Sequence, residues 1–177
     1  MPGGGKSTVG RHLARALSIR FADLDVEVEK RIGCSIRAFF EQEGEQRFRD
    51  VEQEALVATL ENAQGLVLAT GGGTVLREVN RQRLRSSSTV IYLRSTPEEL
   101  FRRLRHDTHR PLLQVADPLR KLRDLYQERD PLYRKTAHFV IETGRPSVHT
   151  LVNMVLMQLE LAGLATRSAP RDGGDGS

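Results

Sequence analysis

Three glycines followed by a lysine and two hydroxyl residues stand near the start of the chain, and this combination could bind phosphate. The segment reads Gly3-Gly4-Gly5-Lys6-Ser7-Thr8, and an amphipathic helical pattern follows it directly. Glycines let backbone N–H groups approach phosphate oxygens, and a helix N-terminus adds unpaired donors and a positive dipole end. Lys6 is then placed to reach the β- and γ-phosphates of a nucleotide, and the Ser7 hydroxyl suits Mg²⁺. The alternative is a flexible glycine-rich terminus, which the adjoining helix start makes less favourable.

The loop is shorter than the full pattern G-x-x-x-x-G-K-[ST]. Its second glycine is Gly5, so the first would fall one residue before Met1, together with the strand that should precede the loop. In doubly wound folds that strand lies in the middle of the sheet, and its loss would leave two neighbouring strands unpaired. We therefore hypothesise that a longer natural chain begins upstream of Met1, which translation of the upstream reading frame tests.

Two acids follow a short predicted strand, where ligands bind in α/β sheets. Alternation along an extended segment sends the side chains of Asp23 and Asp25 to the same side. The local pattern alone fits equally well with a helix N-cap and a first-turn acid. Farther on, Arg49 and Glu52 are i, i+3 neighbours on a predicted helix. They could form a surface ion pair, or Glu52 could orient Arg49 toward a ligand.

Glycines and arginines recur in three later segments that suit ligand binding. Gly71-Gly72-Gly73 follows a buried strand, which favours a ligand loop over a simple turn. Arg110-Pro111-Leu112-Leu113 lies in a polar stretch, 106–115, between two predicted helices, and we interpret this stretch as a lid that closes on nucleotide. Pro131-Leu132-Tyr133-Arg134 follows another helix, although Arg134 could simply cap a helix end.

The elements that must position these residues alternate between strands and helices, which predicts an α/β fold with a parallel sheet. The predicted strands are 20–23, 66–69, 90–93 and 139–141. The first predicted helix is 6–17, and a second ends before Gly33. Ser35 is predicted to cap a short turn, and a longer helix is predicted from 45 to 61, after a break at Gly44. Three more predicted helices begin at Thr96, Asp117 and Ser147.

Composition limits the classes of protein that this chain can belong to. The 177 residues suit one domain, 1–164, with an acceptor-binding region at about 24–61 and a disordered tail at 165–177. The formal charge is +4 and the sequence pI is about 9.6, but basic residues are dispersed and aromatic residues make up 5%, which disfavours a nucleic-acid binder. No apolar run approaches the ~20 residues of a membrane span. A lone cysteine, Cys34, fits a cytoplasmic protein, and the histidines show no metal-ligand spacing.

Taken in order, these motifs resemble the shikimate kinase family from Met1 to about Leu161. The matching motifs are the G-K-S-T loop, the D-x-D pair, Gly44-Glu45 leading to Phe48-Arg49-x-x-Glu52, the triple glycine, R-P-L-L and P-L-Y-R. The departures are the missing first strand and glycine, and the tail. The resemblance implies a three-layer P-loop kinase fold whose central parallel sheet, with five strands in the family and the first missing here, is flanked by helices and carries a lid.

The resemblance also implies the reaction. The chain would transfer the γ-phosphoryl group of ATP to the 3-hydroxyl of shikimate, giving shikimate 3-phosphate and ADP on the chorismate route to aromatic amino acids. It would use one Mg²⁺ ion, bind ATP and shikimate, and act as a cytoplasmic monomer. Two alternatives stay open: another small-molecule P-loop kinase, such as gluconate kinase or a nucleoside monophosphate kinase, and a nucleotide-binding fragment with impaired catalysis.

Residue roles follow from the same resemblance. It implies that Asp25 holds and deprotonates a shikimate hydroxyl, that Asp23 acts in the water shell of Mg²⁺, and that Arg110 is the lid arginine beside the transferred phosphoryl group. The residues implied to bind shikimate are Asp25, Arg49, Gly71, Gly72, Gly73 and Arg134. Those implied to bind ATP are Gly3, Gly4, Gly5, Lys6, Ser7, Thr8, Arg103, Arg110 and Arg145.

Overall fold

A computed structural model of the chain describes residues 6–105, 116–144 and 147–164. Within these ranges, strands and helices alternate as the sequence predicts, although an unpredicted helix covers Glu78–Ser87, and residues 131–134 lie inside a helix rather than after one. The helices are Lys6–Leu17 (α1), Leu24–Ile32 (α2), Ile36–Glu61 (α3), Glu78–Ser87 (α4), Pro97–Leu104 (α5), Pro118–Thr136 (α6) and Val148–Leu161 (α7). The strands are Arg20–Asp23 (β1), Leu66–Ala69 (β2), Ile91–Arg94 (β3) and Phe139–Glu142 (β4), and Thr74–Leu76 forms a 3-10 turn.

The four strands pair in parallel, in two sets of two. β1 pairs with β2 so that Asp23 lies opposite Ala69, and β3 pairs with β4 so that Arg94 lies opposite Glu142. The predicted parallel arrangement is therefore confirmed. A cavity of about 500 Å³ lies between the two pairs, lined by both β2 and β3 and by α1. The strand that the sequence analysis places upstream of Met1 stays a prediction.

Helices cover the strands on both faces through three apolar clusters. Leu13 of α1 packs with Val155 of α7 and Ile141 of β4 in one cluster. A second cluster joins α2, α3 and α4, and a third joins α5 and α6 to Tyr92 of β3. Burial of these faces holds the ends of all four strands in a fixed arrangement, which is what a binding site at the strand ends requires.

Side-chain caps begin the helices where the sequence analysis expects them. Ser35 and Ser147 accept backbone N–H groups at the starts of α3 and α7, and Asp117 does so for α6. Thr96 and Glu99 form the reciprocal capping box of α5. Gly33 ends α2 in the left-handed conformation, with φ of 69°, which a residue without a Cβ adopts at little cost.

Between residues 36 and 94, some elements differ in extent from the prediction and one helix was not predicted. Gly44 has φ of 82° and ψ of 174°, which is not helical, so α3 consists of two helical segments that meet at a kink and the predicted break is confirmed. The segment before Gly44 is a helix rather than the predicted short turn. β3 begins at Ile91 rather than at Val90. The 3-10 turn and α4 were not predicted, because α4 is mostly polar and buries only Asn80 and Leu84, too few positions for a visible period.

Several predicted features fall outside the described residues: the glycines of the phosphate loop, the lid at 106–115, Arg110, Arg145 and the tail at 165–177. Within the part of the chain that the structure describes, no helix is both long enough and apolar enough to cross a membrane.

Candidate active site

The phosphate loop and the acidic pair meet at the start of α1. Ser7 Oγ donates a hydrogen bond of 2.7 Å to Oδ2 of Asp23. The other carboxylate oxygen of Asp23 accepts the backbone N–H of Asp25 at 2.9 Å and caps α2. Asp23 is thus a helix N-cap and a neighbour of the loop at once, so the two interpretations left open by its sequence pattern are compatible. Thr8, the last residue of the loop motif, is exposed.

Lys6 and Asp25 are electrostatically linked across this corner. Desolvation lowers the pKa of Lys6, and the charges of Asp25 and Asp23 oppose that shift. Although Asp25 is exposed to solvent, the protein atoms around its carboxylate partly desolvate it and so raise its pKa. The charge of Asp23 adds to this increase, and the charge of Lys6 opposes it. A Cβ placed on Gly71 would lie 2.9 Å from Oδ1 of Asp25, so this carboxylate faces the glycine triplet.

Arg49 is fixed on α3 by a buried acid. Its Nη1 lies 2.9 Å from Oε1 of Glu52, whose exposed fraction is 1%, and its Nε lies 3.6 Å from the exposed Glu45. The second oxygen of Glu52 accepts a hydrogen bond of 3.2 Å from Thr74. Glu52 therefore orients Arg49, and a surface ion pair is excluded. The guanidinium lies so close to Gly73 that a Cβ there would collide with it.

The glycine triplet is itself held on several sides. The hydroxyl of Tyr133 donates to the carbonyl oxygen of Gly72. After the triplet, Asn80 donates to the carbonyl of Thr74 at 3.0 Å, and Arg81 donates to the carbonyl of Val75 at 2.6 Å. The loop between β2 and α4 thus presents a fixed backbone to Arg49 and Asp25.

Arg134 has a partner of its own, away from the other predicted site residues. Its Nε donates a 2.9 Å hydrogen bond to Oδ2 of Asp130, and half of its side chain is exposed. Asp130 also accepts the hydroxyl hydrogen of Tyr92 at 2.8 Å. None of these contacts reaches Arg49, Asp25 or the glycine triplet, so the assignment of Arg134 to shikimate binding stays a prediction without support from these contacts.

Arg129 is the functional candidate that the sequence analysis missed. Its Nε is buried and has no hydrogen-bond partner. Its charge contributes to lowering the pKa of Lys6, and its side chain lies within hydrogen-bonding reach of the Tyr133 hydroxyl. Helical spacing could have revealed it, because residues four apart share a helix face: Arg129 lies on the face of Tyr133, whereas Arg134 does not.

Arg103 lies at the end of α5 and donates to the carbonyl oxygen of Gly144 at 3.2 Å. This contact joins α5 to the loop after β4, next to the buried Thr143. It neither supports nor opposes the predicted contact of Arg103 with nucleotide, which stays a prediction.

The arrangement is suited to a small anion that carries hydroxyl groups. Arg49 and Arg129 each have a buried Nε without a hydrogen-bond partner, and a planar guanidinium meets a carboxylate through two parallel hydrogen bonds. Asp25 supplies carboxylate oxygens that accept hydrogen bonds from hydroxyl groups. Lys6 and the start of α1 lie on the adjoining side, where a phosphate would bind.

The residues at this corner also suit a magnesium ion. Ser7 and Asp23 offer a hydroxyl and a carboxylate, the hard oxygen ligands that Mg²⁺ prefers, and their hydrogen bond holds them together. In the described ranges, no group of three or more His, Cys, Asp or Glu residues could hold a metal. An ion here would take its other ligands from phosphate and water, as Mg²⁺ commonly does.

Comparison with known proteins agrees with this geometry. A family model described as shikimate kinase matches residues 2–160. A protein named shikimate kinase from Paracidovorax citrulli (strain AAC00-1) is 58% identical over 166 residues, which cover 93% of this chain and 91% of that protein. A second, from Burkholderia thailandensis, is 55% identical over 165 residues, covering 93% and 89%.

Solved structures are similar as well. The shikimate kinase from Acinetobacter baumannii in complex with shikimate superposes with a TM-score of 0.83 at 45% identity, covering 91% of this chain and 89% of that one. The shikimate kinase from Aquifex aeolicus gives a TM-score of 0.80 at 34% identity, covering 94% and 96%. The α/β fold with parallel strands flanked by helices is therefore shared with these enzymes.

Proposed function

This chain belongs to the shikimate kinase family, and on that basis we propose a role for each of its site residues in phosphoryl transfer from ATP to shikimate. The reaction moves the γ-phosphoryl group of ATP to the 3-hydroxyl of shikimate and yields shikimate 3-phosphate and ADP, a step toward chorismate and the aromatic amino acids. Neither gluconate kinase nor a nucleoside monophosphate kinase is favoured by the relatives.

One observation supports the acceptor assignment above all others. Two arginines on separate helices, Arg49 and Arg129, each have a buried Nε without a hydrogen-bond partner. A buried donor without a partner is costly, and a carboxylate that accepts from both guanidiniums would remove that cost. The carboxylate of shikimate is such a group. Arg49 and Arg129 therefore bind the acid end of the substrate, and we propose Arg129 for the role that the sequence analysis gave to Arg134.

The hydroxyl end of shikimate lies against Asp25 and the glycine triplet. The Asp25 carboxylate faces Gly71, so it can accept a hydrogen bond from a ring hydroxyl. The raised pKa of Asp25 brings its carboxylate closer to the value at which it could take the proton of the attacking hydroxyl. Gly72 and Gly73 bind the ring through their backbone, and a side chain at Gly73 would occupy the space of Arg49.

Nucleotide binds at the N-terminal end of α1. Lys6 and the backbone of Gly3, Gly4 and Gly5 bind the β- and γ-phosphates, with Ser7 and Thr8 at the end of the loop. Ser7, and Asp23 through water, would hold the single Mg²⁺ ion, which would neutralise charge on the phosphates when bound. Phosphoryl transfer depends mostly on alignment and charge stabilisation, so Lys6 matters more than a strong base.

The remaining assignments rest on sequence alone. Arg110, in the proposed lid at 106–115, stabilises charge on the transferred phosphoryl group, a role worth about 10³–10⁵ in rate where arginine fingers have been measured. Arg103 and Arg145 lie beside the nucleotide. The catalytic unit is a single domain, 1–164, that acts as a monomer in the cytoplasm.

A coupled assay of ADP release tests this function. The chain is supplied with ATP, Mg²⁺ and, in separate reactions, shikimate, quinate, gluconate or nucleoside monophosphates. We expect turnover with shikimate to exceed turnover with each of the others. Equal or greater turnover with gluconate or a nucleotide would contradict the assignment, and the absence of turnover with every acceptor would support a nucleotide-binding protein without kinase activity.

A further inference from the structure

Tyr133 lies between two parts of the acceptor site that belong to different segments of the chain. Its exposed fraction is 9%, and its ring packs against that of Tyr92 with centroids 4.8 Å apart and planes inclined by 43°. Its hydroxyl donates to the carbonyl oxygen of Gly72. The ring is thus fixed by packing against β3, and the hydroxyl is fixed on the glycine triplet.

Arg129 lies on the same face of α6, one helical turn before Tyr133. The Arg129 side chain lies within hydrogen-bonding reach of the Tyr133 hydroxyl, while the Nε of Arg129 stays buried without a hydrogen-bond partner. Burial raises the pKa of Tyr133, and the nearby Arg129 opposes that shift. Because the pKa is raised, the phenol stays protonated and can donate to Gly72. The hydroxyl can therefore accept from Arg129 and donate to Gly72 at the same time.

We infer that Tyr133 is a positioning residue for shikimate binding, whose hydroxyl fixes the Arg129 guanidinium and the Gly72 carbonyl relative to each other. The inference rests on the proposed function, in which Arg129 binds the carboxylate of shikimate and the glycine triplet binds its ring. Tyr133 acts through these two groups and need not touch the substrate.

The chemistry of the contact explains why the effect should fall on the acceptor and not on the fold. Removing the hydroxyl leaves the ring in place against Tyr92, so the apolar packing of α6 on β3 is retained. What is lost is the link between Arg129 and Gly72. Arg129 then samples orientations in which its unpaired Nε–H no longer meets a carboxylate, and this weakens shikimate binding while the Ser7–Asp23 hydrogen bond of the nucleotide site is retained.

Steady-state kinetics on Tyr133→Phe test the inference, with Tyr126→Phe as the matched control. Tyr126 lies on the same helix, and its hydroxyl accepts a hydrogen bond of 2.8 Å from Nε of Arg94, so the control removes the same atom away from the acceptor site. We expect Tyr133→Phe to raise KM for shikimate about tenfold, the loss typical of one hydrogen bond to a charged group. KM for ATP and the midpoint of thermal unfolding should match those of Tyr126→Phe.

A double-mutant cycle with Arg129→Lys separates positioning from a structural role. If Tyr133 acts through Arg129, adding Tyr133→Phe to Arg129→Lys should raise KM for shikimate far less than about tenfold. An undiminished effect, equal effects of Tyr133→Phe and Tyr126→Phe, or loss of folding in Tyr133→Phe would each overturn the inference. Failure of the proposed function itself would be recognised separately, because the unmodified chain would then show no turnover of shikimate, or Arg129→Lys would leave KM for shikimate unchanged.

Discussion

Nη1 of Arg49 donates a 2.9 Å hydrogen bond to Oε1 of Glu52, an acid whose exposed fraction is only 1%. The two residues are three positions apart on α3, about one helical turn. Glu52 also accepts a hydrogen bond from Thr74, which follows the glycine triplet directly. The buried acid therefore fixes the direction in which the arginine faces the acceptor site.

Replacing Glu52 by Gln should raise KM for shikimate with a smaller effect on kcat. The variant keeps the shape of the side chain but removes the charge that orients Arg49, so we expect about a tenfold increase and a loss of about 1–3 kcal/mol in the free energy of unfolding. Kinetics and urea unfolding measure both. Glu45→Gln is the control, because Glu45 is 59% exposed and lies 3.6 Å from Arg49; an equal effect in the control would contradict the orienting role of Glu52.

Replacing Gly73 by Ala should displace Arg49. The backbone of Gly73 has φ of −94° and ψ of 1°, which alanine can adopt, so the cost arises from the collision of the new Cβ with the guanidinium. We expect KM for shikimate to rise by about tenfold or more with an unchanged circular dichroism spectrum. In an Arg49→Ala background the same glycine substitution should add little, since the colliding group is gone. A full additional effect there would show that Gly73 acts independently of Arg49.

Asp25→Asn should lower kcat and raise the thermal stability of the chain. Because desolvation and Asp23 raise the pKa of Asp25, the charged carboxylate is less favourable in the folded chain than in the unfolded chain. Its contribution to stability is therefore present below its ordinary pKa and lost as the pH rises through the raised value. We expect Asp25→Asn to raise the thermal midpoint at about pH 8 and much less at about pH 4, while kcat falls by about 10²-fold or more. A lower midpoint at the higher pH would contradict this sign.

Arg129→Lys and Arg134→Lys should differ in their effects on shikimate. Lysine keeps the charge but loses the planar fork that binds a carboxylate through two hydrogen bonds. Since Arg129 has a buried Nε without a partner and Arg134 is paired with Asp130, we expect KM for shikimate to rise about tenfold or more in the first variant and to change little in the second. The reverse order would restore the sequence-based assignment of Arg134.

Local signals made most of the fold predictable. Caps such as Ser35, Thr96 and Ser147 mark helix starts through hydrogen bonds within a few residues, and short apolar runs mark strands. The polar α4 was missed because only Asn80 and Leu84 face the interior, and burial of a helix through so few positions depends on partners distant in sequence.

The site was predictable where a motif and its partner lie close in the chain. Asp23 and Asp25 became candidates through their position at a strand end, and Arg49 through its i, i+3 spacing to Glu52, although the hydrogen bond between Ser7 and Asp23 depends on the fold. Arg129 was missed because its relation to the glycine triplet passes through Tyr133, whose contact with Gly72 depends on the fold, and the motif P-L-Y-R drew attention to Arg134 at its end. The orientation of a side chain on α6 depends on packing against Tyr92, which the local sequence does not contain.

The central claim is that Arg49 and Arg129 recognise the carboxylate of the acceptor. Its most direct measurement compares kcat/KM for shikimate and for its methyl ester, in the unmodified chain and in Arg49→Ala and Arg129→Ala. We predict that the unmodified chain prefers the acid by about 10²-fold or more, since two arginines each contribute charge-assisted hydrogen bonds, and that each variant loses most of this preference. An ester used as well as the acid by the unmodified chain, or a preference unchanged in both variants, would contradict the claim.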